Sequence, residues 1–516
     1  MRHLLRCYVF IVLSGLLNAC TSMPERGWNP VACASECTSG ELEAAVAPPV
    51  HATYIGSDGW GAVHVVKGAV PPAGKVPVSF MKTYLEFEET HGAPTDVNQL
   101  RAIRHYLDSK RTQDKPVLIV VYVHGWHHDA DPSNTGENDN IVKFDYLLAR
   151  AADSVRRMAG AKAHEVLGIY VGWRGESTNI PIASFLSVGN RASAADTIGR
   201  AGLDGSSVTG LHASLMAISK SMHDRDDDSR MIVIGHSFGG RMLSRAFMPE
   251  LVAGNPQPLG AGTIINTINP AIGAEEFKPV FRLVDQSGAA NNEGKTPAWI
   301  MLTTNNDFAT RSAYPAGAWL QLLSADAASS DTKRTIGHYR PYITHVFNMM
   351  HCADSGNKER YGCERDWQLQ SVVENGWEAV RTGSPFVMYF PVLTSTGFGP
   401  RGDAKYCGMM QRRPEPAGVR KKIKDLPACA GLDADHEKIV ARGLGSASVP
   451  VGGHLWNIRT SGDVLDFAEN SFWKFSTHNG YVQTNWMRML VELVFQPDIS
   501  AGIPPIRSGA ATLAAQ

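Results

Sequence analysis

The sequence predicts an α/β protein: a mostly parallel central sheet flanked by helices, with a large insertion before the last core strand. Near-continuous runs of aliphatic residues, "KPVLIVVYVHGW", "EVLGIYVGW" and "RMIVIG", have the composition of strands buried on both faces. Segments with helical spacing of apolar residues lie between them, and that alternation implies βαβ units. The chain has 516 residues, 43% of them hydrophobic, so it can bury a large core. Its formal net charge is −1 and it carries no nucleic-acid-binding motif, which excludes that class of partner. Small-molecule, lipid or peptide substrates remain.

The elements follow in chain order. Residues 1–19 read as a signal peptide, with a basic start (Arg2, His3, Arg6) and a short apolar stretch, "YVFIVLSGLL". It ends in "LNAC", which resembles the lipobox of bacterial lipoproteins. That resemblance implies that Cys20 becomes an acylated first residue, a membrane anchor whose lipid chains contribute roughly 0.8 kcal/mol per buried CH₂. Thr21 resembles the sorting position of outer-membrane lipoproteins, so the expected location is exported and anchored, on the periplasmic or surface face of the outer membrane. Residues 20–50, rich in Pro, Ser, Ala and Gly, read as a flexible tether. Export also suits the remaining cysteines as disulfides. Pairing of neighbours in sequence gives Cys33–Cys37, Cys352–Cys363 and Cys407–Cys429.

Residues 51–307 form the first part of the core. "VPVSFMKTYLEF" alternates like a strand, and "KPVLIVVYVHGW" follows. From Val142 through Phe144, Leu147, Leu148, Ala151, Val155 and Met158 the spacing is helical. "EVLGIYVGW", a helix over Leu211–Met222, "RMIVIG", the helix "GRMLSRAFMPELV" and the strands "AGTIINTINPA" and "PAWIMLTTNND" complete this part. Residues 308–450 hold four cysteines and read as an insertion or lid-like subdomain. Residues 451–498 return to the core with the strand "LWNIRT" and the helix "NWMRMLVELVF". Residues 499–516 read as a disordered tail.

The chemistry concentrates at "MIVIGHSFGG". A serine that directly follows a parallel strand and opens a helix must make a sharp turn, so the residues two before and two after it must be small. Gly235-His236-Ser237-Phe238-Gly239 meets that demand, and the G-x-S-x-G pattern occurs once in the chain. On this turn, and on His124-Gly125-Trp126 at the end of "VLIVVYVHGW", the sequence resembles the α/β-hydrolase superfamily from about Val76 to Phe495, the insertion apart. The resemblance implies that Ser237 is a nucleophile, and that the backbone N–H groups of Trp126 and Phe238 form an oxyanion hole.

A serine needs a base to take its proton, and the base needs an orienting acid. The family order is serine, acid, histidine. Asp307 closes the strand "WIMLTTNND" on the correct edge; Asp285 and Asp463 follow no apolar strand so cleanly. His478 lies between the last strand and the last helix, whereas His454 precedes that strand and falls at its far end. The catalytic set is therefore Ser237, Asp307 and His478, cleaving a small-molecule or lipid ester without a cofactor. A lipase or phospholipase acting on membrane lipids is one alternative, and a non-catalytic binding lipoprotein is another.

Other features carry less. The cluster in "HGWHHDAD" matches no zinc spacing, so no metal is expected. His124, His127 and Trp173 are read as candidate pocket residues at the mouth of the site, with a buried structural role equally open for Trp173. Arg401-Gly402-Asp403 sits in a glycine-rich stretch and reads as incidental.

Overall fold

The computed structural model describes residues 27–31, 33, 37–54, 63–66, 76–112, 115–131, 140–157, 164–175, 188–206, 208–281, 297–304, 307–315, 334–339, 342, 345–349, 371–374, 377–381, 386–391, 455–460, 478 and 484–495. In chain order the strands are β1 (Ala47–Tyr54), β2 (Val63–Val66), β3 (Val76–Glu86), β4 (Val117–Val123), β5 (Glu165–Gly172), β6 (Arg230–His236), β7 (Thr263–Ile268), β8 (Trp299–Thr304), β9 (His345–Met349), β10 (Ser371–Glu374), β11 (Trp377–Arg381), β12 (Phe386–Pro391) and β13 (Leu455–Thr460). The helices are α1 (Ser39–Ala44), α2 (Val97–Thr112), α3 (Asn140–Arg157), α4 (Val188–Arg200), α5 (Leu211–His223), α6 (Phe238–Val252) and α7 (Thr484–Phe495).

All these strands join one sheet, ordered β10-β11-β12-β9-β13-β8-β7-β6-β4-β5-β3-β1-β2. From β9 through β13, β8, β7, β6, β4 and β5 to β3 every pairing is parallel. The outer strands at both ends pair antiparallel. This is the expected α/β architecture. The β4 side chains are fully buried and divide by parity. Leu118, Val120 and Tyr122 pack with Phe144 and Leu148 of α3 and Met487 of α7. Val117, Ile119, Val121 and Val123 face the other layer, with Leu215 of α5 and Met242 of α6. Each such aliphatic side chain stabilises the fold by about 1.5–3 kcal/mol when fully buried.

Register places the working ends of the strands together. Val123 pairs with Gly235, His236 with Ile268, and Ile268 with Leu302. The carboxyl ends of β4, β6, β7 and β8 thus share one edge, where parallel sheets build their sites.

Two expectations need correction. Much of the described part of 20–50 is not a free tether. Thr38 and Glu41 cap α1 reciprocally, Cys33 and Cys37 form a disulfide, and β1 begins at Ala47. The backbone N–H groups of Trp28 and Asn29 donate to the buried Glu86 carboxylate at 2.6 and 3.0 Å. These polar anchors hold a segment whose composition offers little apolar surface. Within 308–450, β9–β12 extend the central sheet past β13, so the described part of that stretch is an outgrowth of the core itself. Cys20, Cys352, Cys363, Cys407 and Cys429, and the segments 1–19 and 499–516, lie outside the described residues. No helix among the described residues is long and apolar enough to cross a membrane.

Candidate active site

Ser237 is the whole connection between β6, which ends at His236, and α6, which starts at Phe238. Its backbone is at φ 53°, ψ −113°, a conformation that costs a non-glycine residue on the order of 1–3 kcal/mol. The surroundings compel the turn. The Ser237 N–H donates to the Ile268 carbonyl at 3.0 Å, and its own carbonyl accepts from Arg241 and Ala271, each at 3.1 Å. A Cβ on Gly235 would lie 2.6 Å from Leu243 Cδ1 and 2.7 Å from the Gly239 carbonyl oxygen. A Cβ on Gly239 would collide with the Val123 carbonyl. The glycines are therefore the condition for α6 to start against the end of β4.

The His124-Gly125-Trp126 loop lies directly against this turn: a Cβ on Gly125 would sit 3.0 Å from Ser237 Cβ. The loop is joined to the end of β5, with the His127 N–H donating to Gly175 O at 3.2 Å and the Gly175 N–H to His128 O at 2.9 Å. His124 locks it from below. The Trp173 N–H donates to His124 Nε2 at 3.1 Å, so the ring proton sits on Nδ1, which donates to Gly125 O at 2.8 Å. The Trp173 indole N–H donates to His124 O at 3.0 Å, and the two rings stack at 5.6 Å. Burial pushes the His124 imidazole down to about 4, so it stays neutral. The backbone N–H groups of Trp126 and Phe238 make no hydrogen bond within the described residues.

Asp307 and His478, 171 positions apart, meet on the other side: His478 Nδ1 donates to Asp307 Oδ1 at 2.9 Å. Asp307 is fully buried and turns the chain as well, its Oδ1 accepting from the Ala309 N–H at 2.9 Å. The Thr310 hydroxyl donates to Oδ2, and His338 Nε2 lies 3.1 Å from that hydroxyl. Because Thr310 spends its proton on the carboxylate, His338 is the donor in that contact. Burial alone would raise the Asp307 carboxyl, but the charge and hydrogen bond of His478 and the Thr310 hydroxyl outweigh it and hold the group below the usual carboxylate range. An ionised Asp307 keeps the His478 proton on Nδ1 and leaves Nε2 as the basic position.

The two sides are joined through the main chain of His478. Its carbonyl accepts from His236 Nε2 at 2.7 Å and from Asn269 Nδ2 at 3.2 Å, and the His236 and His478 rings are 4.8 Å apart. Ser237, Asp307, His478 and the Trp126–Phe238 amides thus gather at one sheet edge. At 0% exposed, His124 supports the loop from beneath and does not line a pocket, and Trp173, at 4%, takes the buried structural role that was its equal alternative. His127 is exposed, at φ 65°, with its ring 3.9 Å from that of Trp126. Asp285, Asp463 and His454 lie outside the described residues. Sequence reading missed Asn269, Thr310 and His338; the Asn-Pro step after β7 marks a turn and was the one available signal for Asn269. Among the described residues no three His, Cys, Asp or Glu side chains gather as a metal site would require.

No family model matches the chain, and no curated protein matches it in sequence. Among solved structures it is similar to phospholipase PlaB from Legionella pneumophila in complex with thio-NAD, at 14% identity and a TM-score of 0.22, covering 63% of this chain and 64% of that one. A second structure of phospholipase PlaB from Legionella pneumophila matches at 15% identity and a TM-score of 0.21, covering 46% of this chain and 49% of that one. The chain therefore spans less than two thirds of these neighbours, at a similarity too low to add to the geometry above.

Proposed function

We propose that this chain is a serine hydrolase that cleaves carboxylic esters through an acyl-enzyme. The observation that carries the reading is the buried Asp307–His478 pair, tied through His236 to the strained turn that presents Ser237. In the proposed reaction His478 Nε2 takes the Ser237 hydroxyl proton as Oγ attacks the ester carbonyl carbon. Asp307 stabilises the imidazolium that forms, and the Trp126 and Phe238 amides hold the oxyanion at the head of α6. The imidazolium returns its proton to the departing alcohol. Water, deprotonated in the same way, then attacks the acyl-serine and frees the acid.

We infer further that the chain is exported and anchored through acylated Cys20; the Cys33–Cys37 disulfide supports passage through an oxidising compartment. The test of the reaction uses the full-length chain in detergent and a fluorophosphonate probe that modifies only activated serines. Stoichiometric labelling of the wild type, absent from Ser237→Ala, is the expected result. A folded wild type that the probe leaves untouched overturns the reading.

A further inference from the structure

His478 is buried and meets Asp307 across 171 positions of chain, so the contacts that hold it are informative. Its ring is fixed by Asp307, but a ring held at one nitrogen can still swing if its backbone moves. The backbone is held at the carbonyl, by His236 Nε2 at 2.7 Å and Asn269 Nδ2 at 3.2 Å.

Asn269 is built for this. It directly follows β7, is completely buried, and adopts φ 45°, a conformation asparagine tolerates better than most residues. Its N–H donates to Leu302 O at 2.8 Å, and its Oδ1 accepts from the Thr304 N–H at 3.1 Å. The Thr304 amide can only donate and the His478 carbonyl can only accept, so the orientation of the Asn269 amide follows from the chemistry of its partners. One side chain thus spans the end of β8, three residues before Asp307, and the backbone of the base. His236 does the same from the nucleophile side, since it is the residue before Ser237 and its Nε2 must carry a proton to donate.

We infer that Asn269 and His236 are positioning residues that clamp the general base by its main-chain carbonyl, setting His478 relative to both Ser237 and Asp307. This rests on the serine-hydrolase reading and deepens it. The clamp ties the base to the turn that carries the nucleophile, and reactivity then depends on side chains that never touch substrate. A displacement of about 1 Å can lower a rate by roughly a hundredfold.

The experiment measures fluorophosphonate labelling rates and ester turnover of the full-length chain, with thermal unfolding recorded for every variant. Asn269→Asp keeps the acceptor for Thr304 and tolerates the backbone conformation, but turns an oxygen toward the His478 carbonyl. Its labelling rate and kcat are expected to fall by ten- to a hundredfold, on the scale of that displacement, with KM unchanged. His236→Leu removes the other donor and is expected to fall similarly, while His236→Gln, which keeps an N–H donor, recovers most of the rate. The His236 pair decides the matter if Asn269→Asp does not fold. Wild-type labelling with an unchanged rate in Asn269→Asp, or equal loss in His236→Leu and His236→Gln, overturns the clamp alone. A wild type that is never labelled overturns the hydrolase reading beneath it.

Discussion

His478 and His124 flank the same turn and are held in opposite ways. His478 spends Nδ1 on a carboxylate, and no other hydrogen bond engages its ring among the described residues. His124 spends both nitrogens on backbone groups, one donating to Gly125 O and one accepting from the Trp173 N–H, inside a stack that excludes water. A ring engaged in this way cannot take up a proton without losing an acceptor. The first environment suits the base of the proposed reaction, the second a strut. The difference teaches that histidine chemistry on this edge is set by what each nitrogen faces, since residue type and burial are nearly the same.

The sharpest way to break this comparison is Asp307→Asn. With its single oxygen at the Oδ2 position the amide still accepts from Thr310 and gives up only the Ala309 cap, so the fold has little to lose. It cannot compensate a charged His478, and its NH₂ favours the wrong tautomer. Turnover is expected to fall by about 10⁴ with the unfolding temperature within a few degrees of wild type. Turnover retained in Asp307→Asn would mean that His478 is not the base.

The converse substitution, His124→Ala, is expected to move both readouts. It empties a buried ring site and frees the Gly125–Trp126 segment, lowering stability by about 2–4 kcal/mol. Loss of the Trp126 amide as a donor would lower kcat by roughly 10²–10³. Denaturant titration and ester kinetics on the same preparation check it. A variant of unchanged stability and reduced turnover would make His124 part of the chemistry instead of a strut.

The two regions also differ in how much of them could be read beforehand. The Ser237 turn was legible because its steric demands fall within five residues and show as glycines. β4 and β6 were legible because both of their faces are buried. α4 escaped because Arg191 and Asp196 sit on its buried side, satisfied by Glu89 and by Arg241 and Arg245, while Gly199 packs against α6. Buried charge and small residues erase the apolar stripe on which sequence reading depends. β1 escaped because Pro48 and Pro49 fall at the register shift between Ala47 and Val50, where the ladder is broken. The clamp on His478 escaped for another reason. Asn269 has its partners 35 and 209 positions away, and no local pattern records them.

The smallest expected effect is in how His124 makes stability respond to acid. The unfolded chain holds His124 near the ordinary value of 6.5, while burial in the folded protein pushes it down to about 4. Above pH 6.5 both states are neutral and this ring makes stability independent of pH. As pH falls from 6.5 toward 4 the unfolded chain takes up a proton that the folded one refuses, so stability drops, by an amount on the order of 3 kcal/mol once pH 4 is reached. His236 is pushed down as well, by burial and by the nearby His478, and adds loss of the same sign. Chemical denaturation at pH 7.5 and pH 5 should show the wild type losing stability, and His124→Gln losing less. An equal loss in the two would show that His124 keeps its ordinary affinity for protons within the fold.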